Sequence, residues 1–209
     1  MSFSVVTPNF NHGKMLARAV DAVMAWELRP AELITINDGS TDDSLTVIGG
    51  LKLRYPSIRL INHEQNRGVL TDMNEGLRAA SGEFVYMAAP ATSSSPACLP
   101  RHGRRCSNIR TRPISAGGVV LFDPQGRLLG VRPFMQPSAR AAFVSPAAAR
   151  AGLAKRDNWS VGAGVIYRRR RLLAAGGSDE TIGAFGDGLM VRRMALESGF
   201  CFDPALVAV

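Results

Sequence analysis

Apolar and polar positions alternate in blocks along the first half of the chain. Phe3 to Val6 is a short apolar run, followed by the polar stretch Thr7-Pro8-Asn9-Phe10-Asn11. Leu16, Val20, Val23 and Met24 then recur at helical spacing on a segment that begins near Lys14. A second apolar run, Leu33-Ile34-Thr35-Ile36, leads into Asn37-Asp38-Gly39-Ser40-Thr41-Asp42-Asp43. Ser40 with Asp43 three residues on predicts a capping box, with Leu45 and Ile48 as the buried stripe. Ile58 to Ile61 reads as a third strand. Leu70, Met73, Leu77 and Ala80 mark a third helix that Gly82 is expected to end, and Glu83 to Ala88 is the fourth strand. Strands separated by helices imply right-handed βαβ units, hence an α/β fold with a mostly parallel central sheet and flanking helices.

The pattern then breaks. No Asp or Glu occurs from Phe84 to Phe122, and residues 90–116 are rich in Ser, Pro and Arg with neither helical nor strand period. A structureless stretch of this length is unusual inside a compact domain. Regularity returns as Val119 to Phe122, the turn Asp123-Pro124-Gln125-Gly126 and Leu128 to Val131, which together predict a hairpin. Helices are expected near Pro146 to Lys155 and Leu189 to Glu197, the latter ended by Gly199, with a strand over Phe200 to Phe202. The chain stops soon afterwards, which leaves truncation at the C-terminus as one expectation.

Two strand ends that carry hydroxyls, amides and a carboxylate, each opening a helix, suggest a nucleotide pocket at the carboxyl edge of the sheet. Asp38 is a candidate to accept a hydrogen bond from the base or ribose of a nucleotide; its bland alternative is an ordinary capping aspartate. Composition changes this picture little. A net charge of +8 admits a nucleic-acid binder, but 22 arginines against three lysines point to codon composition more than to a basic surface. Arg168 to Arg171 reads as a solvated face at the start of a helix, with an anionic membrane or a substrate phosphate as the alternative. No run of eighteen apolar residues and no basic leader is present, and Cys98, Cys106 and Cys201 suit reduced thiols, so a cytoplasmic protein is expected. Cys98, His102 and Cys106 lack the rest of a zinc ligand set. Trp159, near Gly162 and Gly164, is a candidate acceptor-stacking residue or a core residue.

Several ordered blocks resemble the family 2 inverting glycosyltransferases of GT-A fold. They are Val5 to Asn11, Asn37 to Asp42 (with Asn37 in place of a first aspartate), Asn66-Arg67-Gly68 through Asn74-Glu75-Gly76-Leu77, and Gly82 to Met87. Gly176-Gly177-Ser178-Asp179-Glu180 and Gly186-Asp187 are similar to the family's C-terminal elements. The resemblance implies transfer of a sugar from a nucleoside-diphosphate sugar to a saccharide, lipid or protein hydroxyl, as in cell-surface polysaccharide synthesis. It implies one GT-A domain over residues 1–209, with 1–89 the nucleotide-binding half, 90–116 anomalous and 117–209 the acceptor side. Thr7, Pro8, Asn9, Asn11, Asp38, Arg67 and Gly68 would bind the nucleotide, and Asp187 would be the catalytic base. Peripheral contact with the inner face of the membrane fits such a role; nucleic acid does not.

One departure concerns the metal. The family holds Mg²⁺ or Mn²⁺ with an Asp-x-Asp motif after the fourth strand, where this chain has Ala89-Pro90-Ala91-Thr92 and no carboxylate. No metal ligand is therefore assigned. A shifted reading frame explains the change: across the codon junctions, Ala91-Thr92 permits Asp, the next three junctions force aliphatic or aromatic codons, and Cys106 to Thr111 permits Leu-Glu-His-Pro-Asp. An insertion is the alternative. A second departure is Gly186, where the family has an acidic neighbour to its base. Three functions compete on these grounds: an active transferase, a nucleotide-binding relic without its metal site, and an arginine-rich nucleic-acid binder.

Overall fold

The computed structural model describes residues 2–26, 29–88, 114–122, 127–131, 137–155 and 165–208. Strand β1 (Phe3–Asn9) leads through α1 (Gly13–Met24) to β2 (Glu32–Asp38), then α2 (Ser44–Arg54), β3 (Ile58–His63), α3 (Val69–Ala79) and β4 (Phe84–Met87). After them come β5 (Ile114–Phe122), β6 (Leu128–Val131), β7 (Ala142–Val144), α4 (Pro146–Leu153), β8 (Val165–Arg168) and α5 (Arg169–Ala174). A 3₁₀ segment (Glu180–Phe185), α6 (Gly186–Ser198) and β9 (Phe200–Ala208) complete the described part.

The sheet runs β3-β2-β1-β4-β8-β5-β9-β7, with β6 paired to β5. β3, β2, β1 and β4 are parallel; β8 joins antiparallel to both β4 and β5, and β9 runs parallel to β5. Strand order reverses at β1, because the chain passes outward through β2 and β3 and then returns to β4 on β1's other side. In open α/β sheets that reversal opens a crevice at the carboxyl ends of the strands, where ligands bind.

Strand parity divides the core in two. Phe3, Val5, Leu33 and Ile58 face α1 and α2, meeting Leu16, Val20, Val23, Ile48 and Leu51. Trp26 lies between Phe3 and Tyr86, with ring centroids 6.0 and 5.5 Å away. Val6, Ile34, Ile36 and Val85 face the other way, against Leu77 of α3 and Met190, Val191 and Met194 of α6. A buried side chain of this size contributes about 1.5–3 kcal/mol. The two-sided sheet is what makes the N-terminal strands read as unbroken apolar runs.

Several local expectations are corrected. Ser40 does not cap α2, which starts at Ser44 with Asp43 as its N-cap residue; Ser40 is used by the β1 loop instead. Leu45 is 45% exposed, because the helix begins four residues after Ser40 and rotates it outward. Gly82 is not the residue after α3, which ends at Ala79. Its N–H donates to Ser4 Oγ at 2.9 Å, tying the start of β4 to β1. β5 begins at Ile114, so the last residues of the irregular stretch are strand, paired with Tyr167, Ile166 and Val165 of β8. The Arg168–Arg171 run is not one solvated face. Arg168 is buried, 3.1 Å from Glu83 and over the Phe84 ring, while Arg169 donates to the carbonyls of Leu77 and Arg78. The β5–β6 hairpin forms as expected, although its turn, residues 89–113 and Trp159 with its glycines lie outside the described residues. The proposed frame-shifted segment and Cys98, His102 and Cys106 fall there too, apart from the part that enters β5.

Candidate functional site

The carboxyl edge is built from a row of asparagines. Asn9 pairs with Asn37 across β1 and β2, and Asn37 with Asn62 across β2 and β3. Asn37 Nδ2 donates to Asn62 Oδ1 at 2.8 Å, and Asn9 Nδ2 donates to Ser44 Oγ at 2.9 Å. The two loops beyond the strands are joined to each other. Asn11 N donates to Ser40 Oγ at 3.0 Å, Thr41 N donates to Asn11 Oδ1 at 2.8 Å, and Gly13 N donates to Asp42 Oδ2 at 3.1 Å. Asn11 adopts a left-handed backbone (φ 55°), a conformation asparagine tolerates better than most residues. An open depression of about 410 Å³ follows, lined by Asn11, His12, Gly13, Lys14, Asp42 and Asp43. Thr7, Pro8 and Asn9 are buried in β1, the strand that leads to this edge. Asn9 Oδ1 and Asn37 Oδ1 are buried acceptors without a hydrogen-bond partner.

On the opposite face, Asp38 holds the β3–α3 turn. Its Oδ1 accepts from Arg67 N at 2.8 Å and its Oδ2 from Gly68 N at 2.9 Å. The structure thus brings Asp38, Arg67 and Gly68 together through the turn's backbone. The Arg67 guanidinium donates to Glu75 Oε2 at 3.2 Å. Sequence reasoning missed His63, at the end of β3 opposite Asp38. Its Nδ1 lies 3.0 Å from Asp38 Oδ1 and 3.3 Å from Asp72 Oδ1, and its Nε2 lies 3.0 Å from Glu75 Oε2. A polar residue ending a strand two positions after Ile61, like Asp38 after Ile36, was the available signal.

Charge coupling shifts these groups. Burial would raise Asp38, but the bonds from His63 and from the Arg67 and Gly68 amides outweigh it and hold the carboxyl below its ordinary value. Burial would lower His63, but its bonds to Asp38 and Glu75 and the surrounding negative charge raise it. Asp72 is raised to about 7, first by burial and then by the Asp38 charge. Its Oδ1 makes no hydrogen bond.

Asp38, His63 and Asp72 bring one ligand atom each within 4.8 Å of one another, a spacing that invites a metal. They do not fit the cation of a nucleotide diphosphate. That cation must also bind phosphate oxygens, yet these side chains are only 2%, 7% and 1% exposed. Both Asp38 oxygens already accept backbone N–H bonds. Asp38 and His63 are hydrogen-bonded within the cluster, and Asp72 Oδ1 is its one buried oxygen without such a bond.

Asp187 stands in the first turn of α6, which begins at Gly186 with Phe185 at its N-cap. The helix thus starts three residues before Leu189, and Asp187 lies inside it rather than at its cap. Its charge is the second cause, after burial, of the raised pKa of Tyr167 in β8. Gly186 has no room for the acidic neighbour its resemblance implied. A Cβ there would lie 2.6 Å from Leu70 Cδ1 and 2.8 Å from Asp179 O.

Residues 4–89, the parallel half of the sheet and its edge, match the family model for Glycosyl transferase family 2. The match ends at residue 89 and covers less than half of the chain. Over 85 residues the chain is 35% identical to an uncharacterized glycosyltransferase of Nostoc sp., covering 41% of this chain and 26% of that protein. It is 32% identical over 83 residues to the GalNAc(5)-diNAcBac-PP-undecaprenol beta-1,3-glucosyltransferase of Campylobacter jejuni, covering 39% of this chain and 27% of that one. The matched stretch thus spans about a quarter of the length of these curated relatives. In fold, the chain superposes along its full length on 60% of S. aureus TarS 1-349 in complex with UDP, with TM-score 0.75 and 18% identity. The mannosyltransferase PcManGT of Pyrobaculum calidifontis, in complex with GDP-Man and Mn²⁺, gives TM-score 0.71 and 16% identity over 99% of this chain and 56% of that one. The chain therefore has the GT-A type glycosyltransferase fold.

Proposed function

We propose that this chain transfers a sugar from a nucleoside-diphosphate sugar to an acceptor hydroxyl with inversion at the anomeric carbon. The observation that carries the proposal is a coincidence: the family-matched residues 4–89 form the half-sheet whose strand order reverses at β1. Residues 1–209 act as one domain in this proposal, with the nucleotide on the side of 1–89 and the acceptor on the side of 117–209. Thr7, Pro8, Asn9 and Asn11 wall the pocket, and Asp38 holds the Arg67–Gly68 turn against it. TarS with UDP-GlcNAc and PcManGT with GDP-Man support a nucleotide-sugar donor. A lipid-linked or polysaccharide acceptor is supported by the undecaprenol-linked saccharide in one relative's name and by poly-beta-1,6-N-acetyl-D-glucosamine synthase of Staphylococcus epidermidis as another relative. A cytoplasmic domain touching the membrane fits that acceptor; no helix among the described residues is long and apolar enough to cross one.

Asp187 is the base of this mechanism. Its carboxylate takes the acceptor hydroxyl proton as the oxygen bonds to the anomeric carbon from the face opposite the leaving group. The bond to the diphosphate breaks, and the nucleoside diphosphate leaves with the electron pair. One displacement inverts the centre. A divalent cation, where bound, would offset the leaving diphosphate's charge. The place for its family ligands, 89–92, lies outside the described residues and carries no carboxylate in sequence.

That sequence favours a second reading, a nucleotide-binding relic. Titration with UDP and GDP by calorimetry, followed by donor hydrolysis with and without Mn²⁺, separates the two. Hydrolysis supports the enzyme, binding alone supports the relic, and neither would sink both.

A further inference from the structure

Helix α3 grips the turn that precedes Asp187. Asn74, buried on α3, uses both ends of its amide: Nδ2 donates to Ser178 O and to Glu180 Oε1, each at 2.8 Å, and Oδ1 accepts from Ser178 N at 2.8 Å. One turn back, Thr71 Oγ1 donates to Glu180 Oε2 at 2.9 Å. These bonds hold the Glu180 carboxyl below its ordinary value, those from Asn74 first. Gly177 is left-handed (φ 74°), and a Cβ on it would run into Asn74 Oδ1. At the far end of the turn Leu70 of the same helix fills the space beside Gly186. Thus three successive positions on one flank of α3, Leu70, Thr71 and Asn74, hold residues 178–186. The adjoining flank of α3 carries Asp72 and Glu75, which meet His63.

The turn also packs against α6 and bonds within itself. Asp179 bonds within it, accepting from Thr181 N and Oγ1 at 2.9 and 2.6 Å. Gly183 interrupts the 3₁₀ segment with a left-handed backbone, so the segment transmits no regular helical rigidity to α6. Asp187 sits one residue beyond Gly186. Its backbone position is therefore set jointly by the packing of α6 on the sheet and by what grips the turn ahead of it.

We infer that Asn74 and Glu180 form a clasp by which α3 places Asp187, so that both are positioning residues for sugar transfer. The inference rests on the transferase proposal and on Asp187 as its base. α3 then joins the nucleotide edge, through its Asp72 and Glu75 flank, to the base, through its Thr71 and Asn74 flank. Displacement of a reacting group by about 1 Å costs on the order of a hundredfold in rate, so the clasp acts on turnover more than on donor binding.

The test uses the whole chain with Asn74→Ala, Glu180→Ala, Glu180→Gln and the double alanine variant. Affinity for UDP and GDP is read by calorimetry. Turnover is read on UDP-glucose, UDP-GlcNAc and GDP-mannose, and amide exchange over 177–190 by mass spectrometry. Each alanine variant should lower kcat ten- to a hundredfold with nucleotide affinity within about twofold, and the double variant should cost no more than the worse single one. Glu180→Gln keeps the shape and one acceptor, and should recover most of the turnover that Glu180→Ala loses. Exchange should rise at 177–190 in the alanine variants. Parent-like kcat in both alanine variants overturns the clasp. A protein that binds neither nucleotide and turns over no donor overturns the transferase proposal instead. The clasp then stands or falls on exchange, and unchanged protection at 177–190 in Asn74→Ala overturns it. Glu180 is exposed at the surface of the turn, so its variants remain informative where Asn74→Ala fails to fold.

Discussion

Nδ1 of His63 lies 3.0 Å from Oδ1 of Asp38, at the ends of two adjacent strands. That contact ties β3 to β2 at the edge where the nucleotide is proposed to bind. It also places an imidazole among three carboxylates, those of Asp38, Asp72 and Glu75. The cluster gives the first prediction.

Asp72 is raised from 3.8 to about 7, so the folded protein keeps a proton there that the unfolded chain loses. Stability from that proton is complete below about pH 4 and is lost as pH rises to about 7. Asp72→Asn cannot lose it. Its Tm relative to the parent should therefore climb between pH 4 and 7 and level off above that. His63, also raised, adds a further loss above its unfolded value near 6.5, which the variant retains. Thermal melts in a pH series decide the matter, and a constant gap between the two proteins would remove Asp72 as the source.

Glu32, at the other end of β2, behaves in the opposite sense. Burial alone would raise it, but bonds from Ser81 N at 2.6 Å, Ser81 Oγ at 2.7 Å, Arg59 at 2.6 Å and Ser4 at 2.7 Å bring it to about 2. Its contribution is present above the unfolded value of 4.5 and disappears as pH falls to about 2. Glu32→Gln should cost roughly 2–3 kcal/mol near pH 7 and much less near pH 2.5. Urea unfolding at both pH values would show whether the difference exists.

Asp38→Ala should weaken the nucleotide edge and the fold together. The amides of Arg67 and Gly68 lose their acceptor, and one or both become unsatisfied at a cost of about 1–3 kcal/mol each. UDP or GDP affinity should fall by a comparable amount, because the turn leaves its place. Equal affinity in calorimetry would separate the turn from the pocket.

Asp187→Asn tests the base. It preserves shape and removes basicity, so turnover should fall by roughly two or more orders of magnitude with donor affinity little changed. Initial rates at saturating donor read this directly. Unchanged rates would leave Asp187 with no role beyond the first turn of α6.

The absent carboxylate at Ala89 to Thr92 yields the last prediction. Donor hydrolysis by the chain as written should respond weakly to Mn²⁺, whereas a gene re-read in the shifted frame over 90–116 should restore an acidic residue and a strong response together. Metal assistance of this kind is worth several kcal/mol. Strong Mn²⁺ dependence in the chain as written would refute the frame-shift account of its cost.

Short-range pattern determined much of this protein by itself. Leu16, Val20, Val23 and Met24 announce the buried face of α1, and Phe3 to Val6 and Leu33 to Ile36 announce strands covered on both sides, because burial imposes a period that needs no knowledge of the partner. The same blocks carry the resemblance to family 2, while the contact of Asp38 with the Arg67–Gly68 turn came from the tertiary structure. Tertiary structure decided the rest. Whether Ser40 capped its own helix or served Asn11 depended on a loop 29 residues away, and local spacing carries no information about that competition. His63, Asp72 and Glu75 converge only when β3 lies beside β2 and α3 crosses above them. Asn74 meets Glu180 across 106 residues of chain, a contact set by the packing of α3 and α6 on one sheet face rather than by either segment's own pattern.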